Sequence, residues 1–97
     1  MKPVFIAALA EDELREARDW YDQQAPGLGV RLVEALDTVF EQIAESPQRF
    51  PVVCRDVHRA LVRRFPYGVF FREQPEYIRV IAVVHLHRHP DTWKRRR

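Results

Sequence analysis

Ninety-seven residues are enough for one small domain with a single modest core. Apolar residues make up 46% of the chain and charged residues 31%, a composition that is typical of a globular protein and excludes a disordered chain. No apolar run comes near the roughly 20 residues of a membrane-spanning helix, and Cys54, as the single cysteine, excludes an internal disulfide. We therefore expect one domain over 1–97 that is cytoplasmic and has no membrane partner.

The charge is distributed unevenly along the chain. Residues 1–48 hold 4 Lys or Arg and 10 Asp or Glu, a net charge of −6, whereas residues 49–97 hold 12 and 4, a net charge of +8. Three partners would suit the basic half: a nucleic acid, an acidic peptide, or the acidic half of the same chain.

The first half of the chain predicts a short strand and then two helices. Val4, Phe5 and Ile6 indicate a strand within 2–8. Apolar residues at 10, 14, 17 and 21 predict a helix over 10–24, and those at 32, 36, 39 and 43 predict a second helix over 28–45. Pro26 and Gly27 separate the two helices, so we expect an antiparallel helical pair.

The second half predicts strands. We expect an irregular segment over 48–57, a strand over 59–64 with Arg63 and Arg64 on opposite faces, and a turn at 66–68. A polar gap at 73–76 then separates the two strands of a hairpin. Strict alternation over 77–86 predicts one apolar face and one mixed face. The apolar face holds Ile78, Val80, Ala82, Val84 and Leu86, and the mixed face holds Tyr77, Arg79, Ile81, Val83, His85 and His87.

These elements predict an α+β fold of two layers in the order β-α-α-β-β-β. The helical hairpin packs on an antiparallel sheet, and the first strand joins one side of the three-strand meander. The chain has no internal repeat and no composition shift that would mark a domain boundary.

Several short motifs occur along the chain in a fixed order. They are Ala10 with Leu14, Trp20-Tyr21, Ser46-Pro47, the segment Arg-Phe-Pro-Tyr-Gly-Val-Phe-Phe at 64–71, and a closing His85-x-x-Arg88 with Trp93 and Arg95. This ordered set resembles the RelE/ParE superfamily of bacterial type II toxins over nearly the whole chain. It is more similar to the ParE-like branch than to the RelE-like branch.

The resemblance implies a small cytoplasmic toxin that is neutralised by a cognate antitoxin, as part of a toxin–antitoxin hetero-oligomer. ParE-like members are associated with inhibition of DNA gyrase by binding. RelE-like members are ribosome-dependent mRNA endonucleases, which is the first alternative. A family member that has kept antitoxin binding and lost toxicity is the second. We expect the antitoxin to add a β-strand to a sheet edge and to lay an amphipathic helix over apolar surface.

A nuclease would need a base, a proton donor and cations around the phosphate, and His85, His87, Arg88 and Arg63 are the candidates. Two departures from the RelE-like pattern argue against that activity. Gly68 stands where these nucleases generally place an arginine, and the tail offers Trp93 where they tend to have a tyrosine. We therefore favour a toxin that acts by binding. Its candidate target-binding residues are Arg63, Arg79, His85, Arg88, Trp93 and Arg95.

Other interpretations apply to the same residues. His85 and His87 would be ordinary half-exposed strand residues in a chain without chemistry of its own. As a metal site they would need a third ligand from His89, Asp91 or Cys54, so we expect no metal and no cofactor. We interpret Trp20 and Tyr21 as packing residues of the first helix.

Overall fold

The computed structural model describes residues 1–97 as two helices on a five-stranded mixed sheet. The helices are α1 (Ala8–Gln24) and α2 (Leu28–Glu45). The strands are β1 (Val4–Ile6), β2 (Val52–Cys54), β3 (Val57–Leu61), β4 (Tyr67–Glu73) and β5 (Ile78–His85). Short 3₁₀ helices span Pro47–Arg49 and Thr92–Arg95. The predicted α+β class and order of elements are confirmed.

The strands lie in the order β1-β5-β4-β3-β2. β1 pairs with β5 in parallel, and the other neighbours are antiparallel. β1 therefore joins one side of the meander, as predicted. The prediction missed β2, which lies in the segment expected to be irregular. Its register with β3 is given by only two residue pairs, with an irregularity between them. The strand has three residues, which is too few for an alternating sequence pattern to indicate it.

The helical pair forms as predicted. All four residues of the predicted α2 stripe, at 32, 36, 39 and 43, are buried in the core. Gly27 between the helices has a φ of 85°, a left-handed conformation that glycine adopts without strain. Asp22 accepts a hydrogen bond of 2.8 Å from the backbone N–H of Gly29 and so satisfies one free donor at the start of α2.

A β-bulge in β5 makes the predicted division of its faces wrong. Phe70 pairs with Ala82 and Phe71 pairs with Val80, so Ile81 has no partner on β4. An extra residue reverses the alternation of the side chains that follow it. Ile78, Val80 and Val83 consequently pack in the inner cluster under the helices, whereas Ile81, Ala82 and Val84 pack in a second cluster on the outer face.

The predicted placement of Arg63 and Arg64 on a strand is also wrong. β3 ends at Leu61, and a turn follows that is closed by a hydrogen bond of 2.9 Å from the Val62 N–H to the Tyr67 carbonyl. Arg64 adopts a left-handed φ of 71° inside this turn. Tyr67 and Gly68, which were expected in the turn, begin β4 instead.

The tail covers the outer face of the sheet. Trp93, in the second 3₁₀ helix, stacks on Phe70 with a centroid distance of 4.4 Å and an interplanar angle of 15°. The two rings belong to the outer cluster, so both faces of the sheet are covered, one by helices and one by the tail. Neither helix is long and apolar enough to cross a membrane.

Candidate functional site

A cleft of about 380 Å³ opens where α1 crosses the end of β5. Its lining residues come from α1, from β4, from the end of β5 and from the segment after it. They are Glu13, Glu16, Ala17, Trp20, Tyr67, Val83, Val84, His85, Arg88, His89 and Thr92. Concave sites with a few polar groups on an apolar lining are the usual place for a ligand or a partner's side chain.

The bulge at Ile81 is what brings His85 into this cleft. Under strict alternation His85 would lie on the face opposite to Ile78, but the extra residue turns it to the side of the helices. Its ring there meets the ring of Tyr67 edge to face, with a centroid distance of 5.3 Å.

His85 is held in its neutral form. Its Nδ1 accepts hydrogen bonds from the backbone N–H groups of His87, at 3.2 Å, and Arg88, at 3.1 Å. A nitrogen that accepts has no proton, so the proton of the neutral ring is on Nε2. Burial lowers the pKa of His85, and the positive charges of Arg88, His87 and His89 lower it further.

Arg88 and Trp20 form the mouth of the cleft. The guanidinium carbon of Arg88 lies 5.0 Å from the centre of the Trp20 ring, within the range of a cation–π contact. Arg88 makes no ion pair with a carboxylate, and Trp20 is 41% exposed. A cation and an aromatic ring are therefore both available to a partner.

Trp20 is the site residue that sequence reasoning missed. The interpretation as a packing residue fits Tyr21, which is half-buried against the inner cluster and meets Phe65 at a centroid distance of 5.1 Å. Trp20 precedes Tyr21 on the helix and lies at the exposed edge of the apolar stripe. The sequence did contain an indication of this exposure. Position 20 lies at the edge of the apolar stripe that includes residues 17 and 21, and a ring as large as tryptophan cannot be fully buried there.

The predicted site residues do not form one cluster. His85 and Arg88 line the cleft, and His87 lies just beyond β5 with its ring 5.8 Å from that of His85. Arg63 is exposed in the turn before β4 and does not line the cleft.

The remaining predicted residues lie on the outer face or in the tail that covers it. Arg79 is on the outer face of β5, and Arg95 is exposed in the tail. Trp93 is only 5% exposed, so in this structure its ring packs inside the protein, and its contact with a target stays a prediction.

The arrangement supplies two neutral hydrogen-bond donors, His85 and Tyr67. Nδ1 of His85 accepts the two backbone hydrogen bonds. The other ring nitrogen, Nε2, carries the proton and is a donor. Burial raises the pKa of Tyr67, and the nearby Tyr21 raises it further, so that its hydroxyl is also a donor at neutral pH. No three His, Cys, Asp or Glu side chains lie close enough together to hold a metal ion.

Comparison with known proteins gives concordant matches. The family model described as ParE toxin of type II toxin–antitoxin system, parDE, matches residues 4–90. The Toxin ParE2 sequences of Mycobacterium tuberculosis strains CDC 1551 / Oshkosh and ATCC 25618 / H37Rv are each 32% identical over 82 residues, which cover 84% of this chain and 78% of theirs. A solved structure of the chromosomal ParDE TA system from P. aeruginosa aligns with a TM-score of 0.70 over 88% of this chain and 96% of that chain. With 18% identity, that alignment shows likeness of fold.

Proposed function

Because the chain belongs to the ParE family of type II toxin–antitoxin toxins, we propose that it inhibits DNA gyrase by binding and that a cognate antitoxin neutralises it in the cytoplasm. The observation that carries the proposal is the mouth of the cleft. An unpaired guanidinium, Arg88, stands over an exposed ring, Trp20, beside a neutral histidine that offers a donor. Arginine and tryptophan are among the residues that contribute most to protein interfaces.

The engagement of His85 and Glu13 by neighbouring groups supports binding over cleavage, and Glu16 is the one carboxylate lining the cleft that has no partner. A ribosome-dependent nuclease would need an unprotonated nitrogen or a carboxylate directed at the substrate, and the accepting nitrogen of His85 is already used by two backbone N–H groups. The carboxylate of Glu13 is held by Arg96.

Purified protein tested in a gyrase supercoiling assay should inhibit the enzyme. Arg88→Gln should reduce that inhibition, because it removes the charge over Trp20, whereas Arg31→Gln should not, because Arg31 is exposed on α2 away from the cleft. No inhibition by the folded wild-type protein would sink the proposal.

The same cells should be scored for mRNA integrity during induction. Cuts in codon register would point to the nuclease alternative, and normal growth with soluble, folded protein would point to a family member without toxicity.

The antitoxin part of the proposal is supported by exposed apolar residues at the β1 edge of the sheet. Phe5 is 57% exposed and Leu9 58% exposed, and Phe5 packs edge to face on Tyr77 with a centroid distance of 5.7 Å. β1 has no neighbour on its outer side, so its backbone is free to pair with an added strand. Leu9→Ser should weaken antitoxin binding in a pull-down, and Val30→Ser, equally exposed on α2, is the matched control.

A further inference from the structure

Four arginines gather on the outer face of the sheet, where β4, β5 and the tail meet. Arg72 and Arg79 stand directly opposite each other on β4 and β5. Arg95 and Arg97 of the tail join Arg79 around a pocket of about 280 Å³ whose lining includes Leu9 and Ile81. We call Arg72, Arg79, Arg95 and Arg97 the arginine cluster.

The charge of the arginine cluster is poorly compensated within the chain. Arg79, Arg95 and Arg97 make no ion pair with an Asp or Glu side chain, and Arg72 reaches only Asp56, at 3.5 Å. The other acceptors are backbone oxygens. Arg72 donates to the Arg96 oxygen at 3.2 Å, and Arg79 donates to the Arg97 oxygen at 3.1 Å.

One further donor in the arginine cluster is left without a partner. The Nε of Arg72 is buried and makes no hydrogen bond. Like charges placed opposite each other on neighbouring strands destabilise a sheet, and a polyanion bound at the surface would reduce the repulsion between Arg72 and Arg79.

We infer that the arginine cluster binds the phosphate backbone of duplex DNA. Protein–DNA interfaces are polar and strongly positive, whereas the centre of a protein–protein interface combines arginine with accessible aromatic anchors. The aromatic residues beneath the arginine cluster, Phe70 and Trp93, are stacked on each other and only 2% and 5% exposed. Arginine also binds phosphate through two donors at once, which suits a fixed row of guanidinium groups.

The inference rests on the proposed function for its setting, since an inhibitor of gyrase meets the DNA that gyrase holds. Its test uses DNA without gyrase, so the two proposals can fail separately. A protein that inhibits gyrase but does not bind DNA would overturn only this inference.

The test is fluorescence anisotropy of the full chain with a labelled duplex of about 20 base pairs, two helical turns. If all four arginines contact phosphates, the slope of log K against log salt concentration should be about −3 to −4. Arg95→Gln/Arg97→Gln should reduce the magnitude of that slope by about 2 and weaken binding at least tenfold at low salt.

The double variant keeps the fold intact, because the side chains of Arg95 and Arg97 make no hydrogen bond, and glutamine retains the Arg97 backbone oxygen that accepts from Arg79. Arg31→Gln/Arg49→Gln removes the same charge from exposed positions on α2 and in the first 3₁₀ helix and should leave the slope unchanged. Equal weakening by both double variants would overturn the inference, as would absence of binding at low salt.

An acidic protein segment is the competing occupant. A ten-residue polyglutamate peptide at the same charge concentration should fail to displace the duplex, and displacement would assign the arginine cluster to a protein partner instead. Phe5→Ser provides a second way to tell a DNA partner from a protein partner. Phe5, on β1, pairs with Arg79 on β5 and therefore borders the arginine cluster. The affinity for the duplex should not change when the Phe5 ring is removed. The affinity for a protein partner that uses this ring as an anchor should fall.

Discussion

Glu13 on α1 and Arg96 in the tail, 83 positions apart, form a two-pronged ion pair with distances of 2.6 and 3.0 Å. Both side chains also form hydrogen bonds with the backbone of β5. Glu13 accepts from the Val83 N–H at 3.1 Å, and Arg96 donates to the Ile81 carbonyl at 3.2 Å. These groups lie just past the last β1 contact, where the Ala7 N–H donates to the Val80 carbonyl. The ion pair therefore completes the sheet edge that β1 leaves open, and it ties the tail to the helical layer.

Glu13→Gln should destabilise the fold by about 2 kcal/mol, because it removes a charged partner from Arg96 while that arginine stays half-buried. The measurement is the free energy of unfolding in urea, with hydrogen exchange at residues 93–97 as a second readout for release of the tail. Glu16→Gln, one turn along α1 and without a partner, is the control and should change stability by less than about 0.5 kcal/mol. Equal effects of the two substitutions would contradict the role of the ion pair.

Gly29→Ala should cost about 1–3 kcal/mol, because the added methyl group would lie 2.6 Å from the Arg18 backbone carbonyl oxygen and force α1 and α2 apart. Thermal unfolding measures the loss. Gly27→Ala meets no atom within 4 Å, so its cost comes only from the left-handed backbone, about 1 kcal/mol. A Gly29→Ala protein as stable as wild type would show that α1 and α2 leave room for a methyl group at this position.

Trp93→Ala should destabilise the protein by about 3 kcal/mol, because it uncovers Phe70 and removes the stacked ring. Trp93→Phe keeps an aromatic ring in the same place and should retain most of the stability and the toxicity. If Trp93 instead contacts a target directly, Trp93→Phe would lose toxicity while its unfolding temperature stayed close to that of wild type. Growth assays paired with melting curves separate these outcomes.

His85 should titrate below the ordinary histidine pKa of about 6.5, because burial and the charges of Arg88, His87 and His89 all lower its pKa. An NMR titration of the ring measures it directly. Arg88→Gln should raise the pKa of His85 toward its ordinary value. Arg63→Gln, which removes an exposed charge in the turn before β4, should leave it unchanged. A wild-type pKa at or above about 6.5 would show that burial and the neighbouring positive charges do not act on the His85 ring.

The lowered pKa of His85 also makes the stability of the fold depend on pH. As the pH falls, the unfolded chain binds a proton at His85 at a higher pH than the folded protein does. The contribution of His85 to stability is therefore fully present above about pH 6.5 and is lost as the pH falls toward the lower pKa of the folded state. His85→Asn, which keeps an acceptor near the position of Nδ1, should flatten that part of the stability curve.

The helical half of the fold was readable from the sequence. The α2 stripe at 32, 36, 39 and 43 repeats at the helical period, so each residue carries its own evidence for the buried face, and the observed helix begins and ends where it was predicted. The order of elements and the place of β1 beside the meander followed from topology rules that need only the elements themselves, whereas the parallel pairing of β1 with β5 was not predicted. The ordered motifs also indicated the ParE family, which the family match confirms.

The candidate site was decided by tertiary structure. Alternation along β5 gives no sign that Ile81 is skipped by β4, because a bulge depends on the register between two strands and not on the pattern of one. That one residue moves His85 to the side of α1, where Trp20 and Arg88 complete the cleft. The tail likewise shows no periodicity, and only contacts with residues as distant as Phe70 and Glu13 fix its place. Periodicity along the chain determined the two helices and the long strand β5, whereas long-range contacts determined the short strand β2, the register of the sheet and which side chains meet.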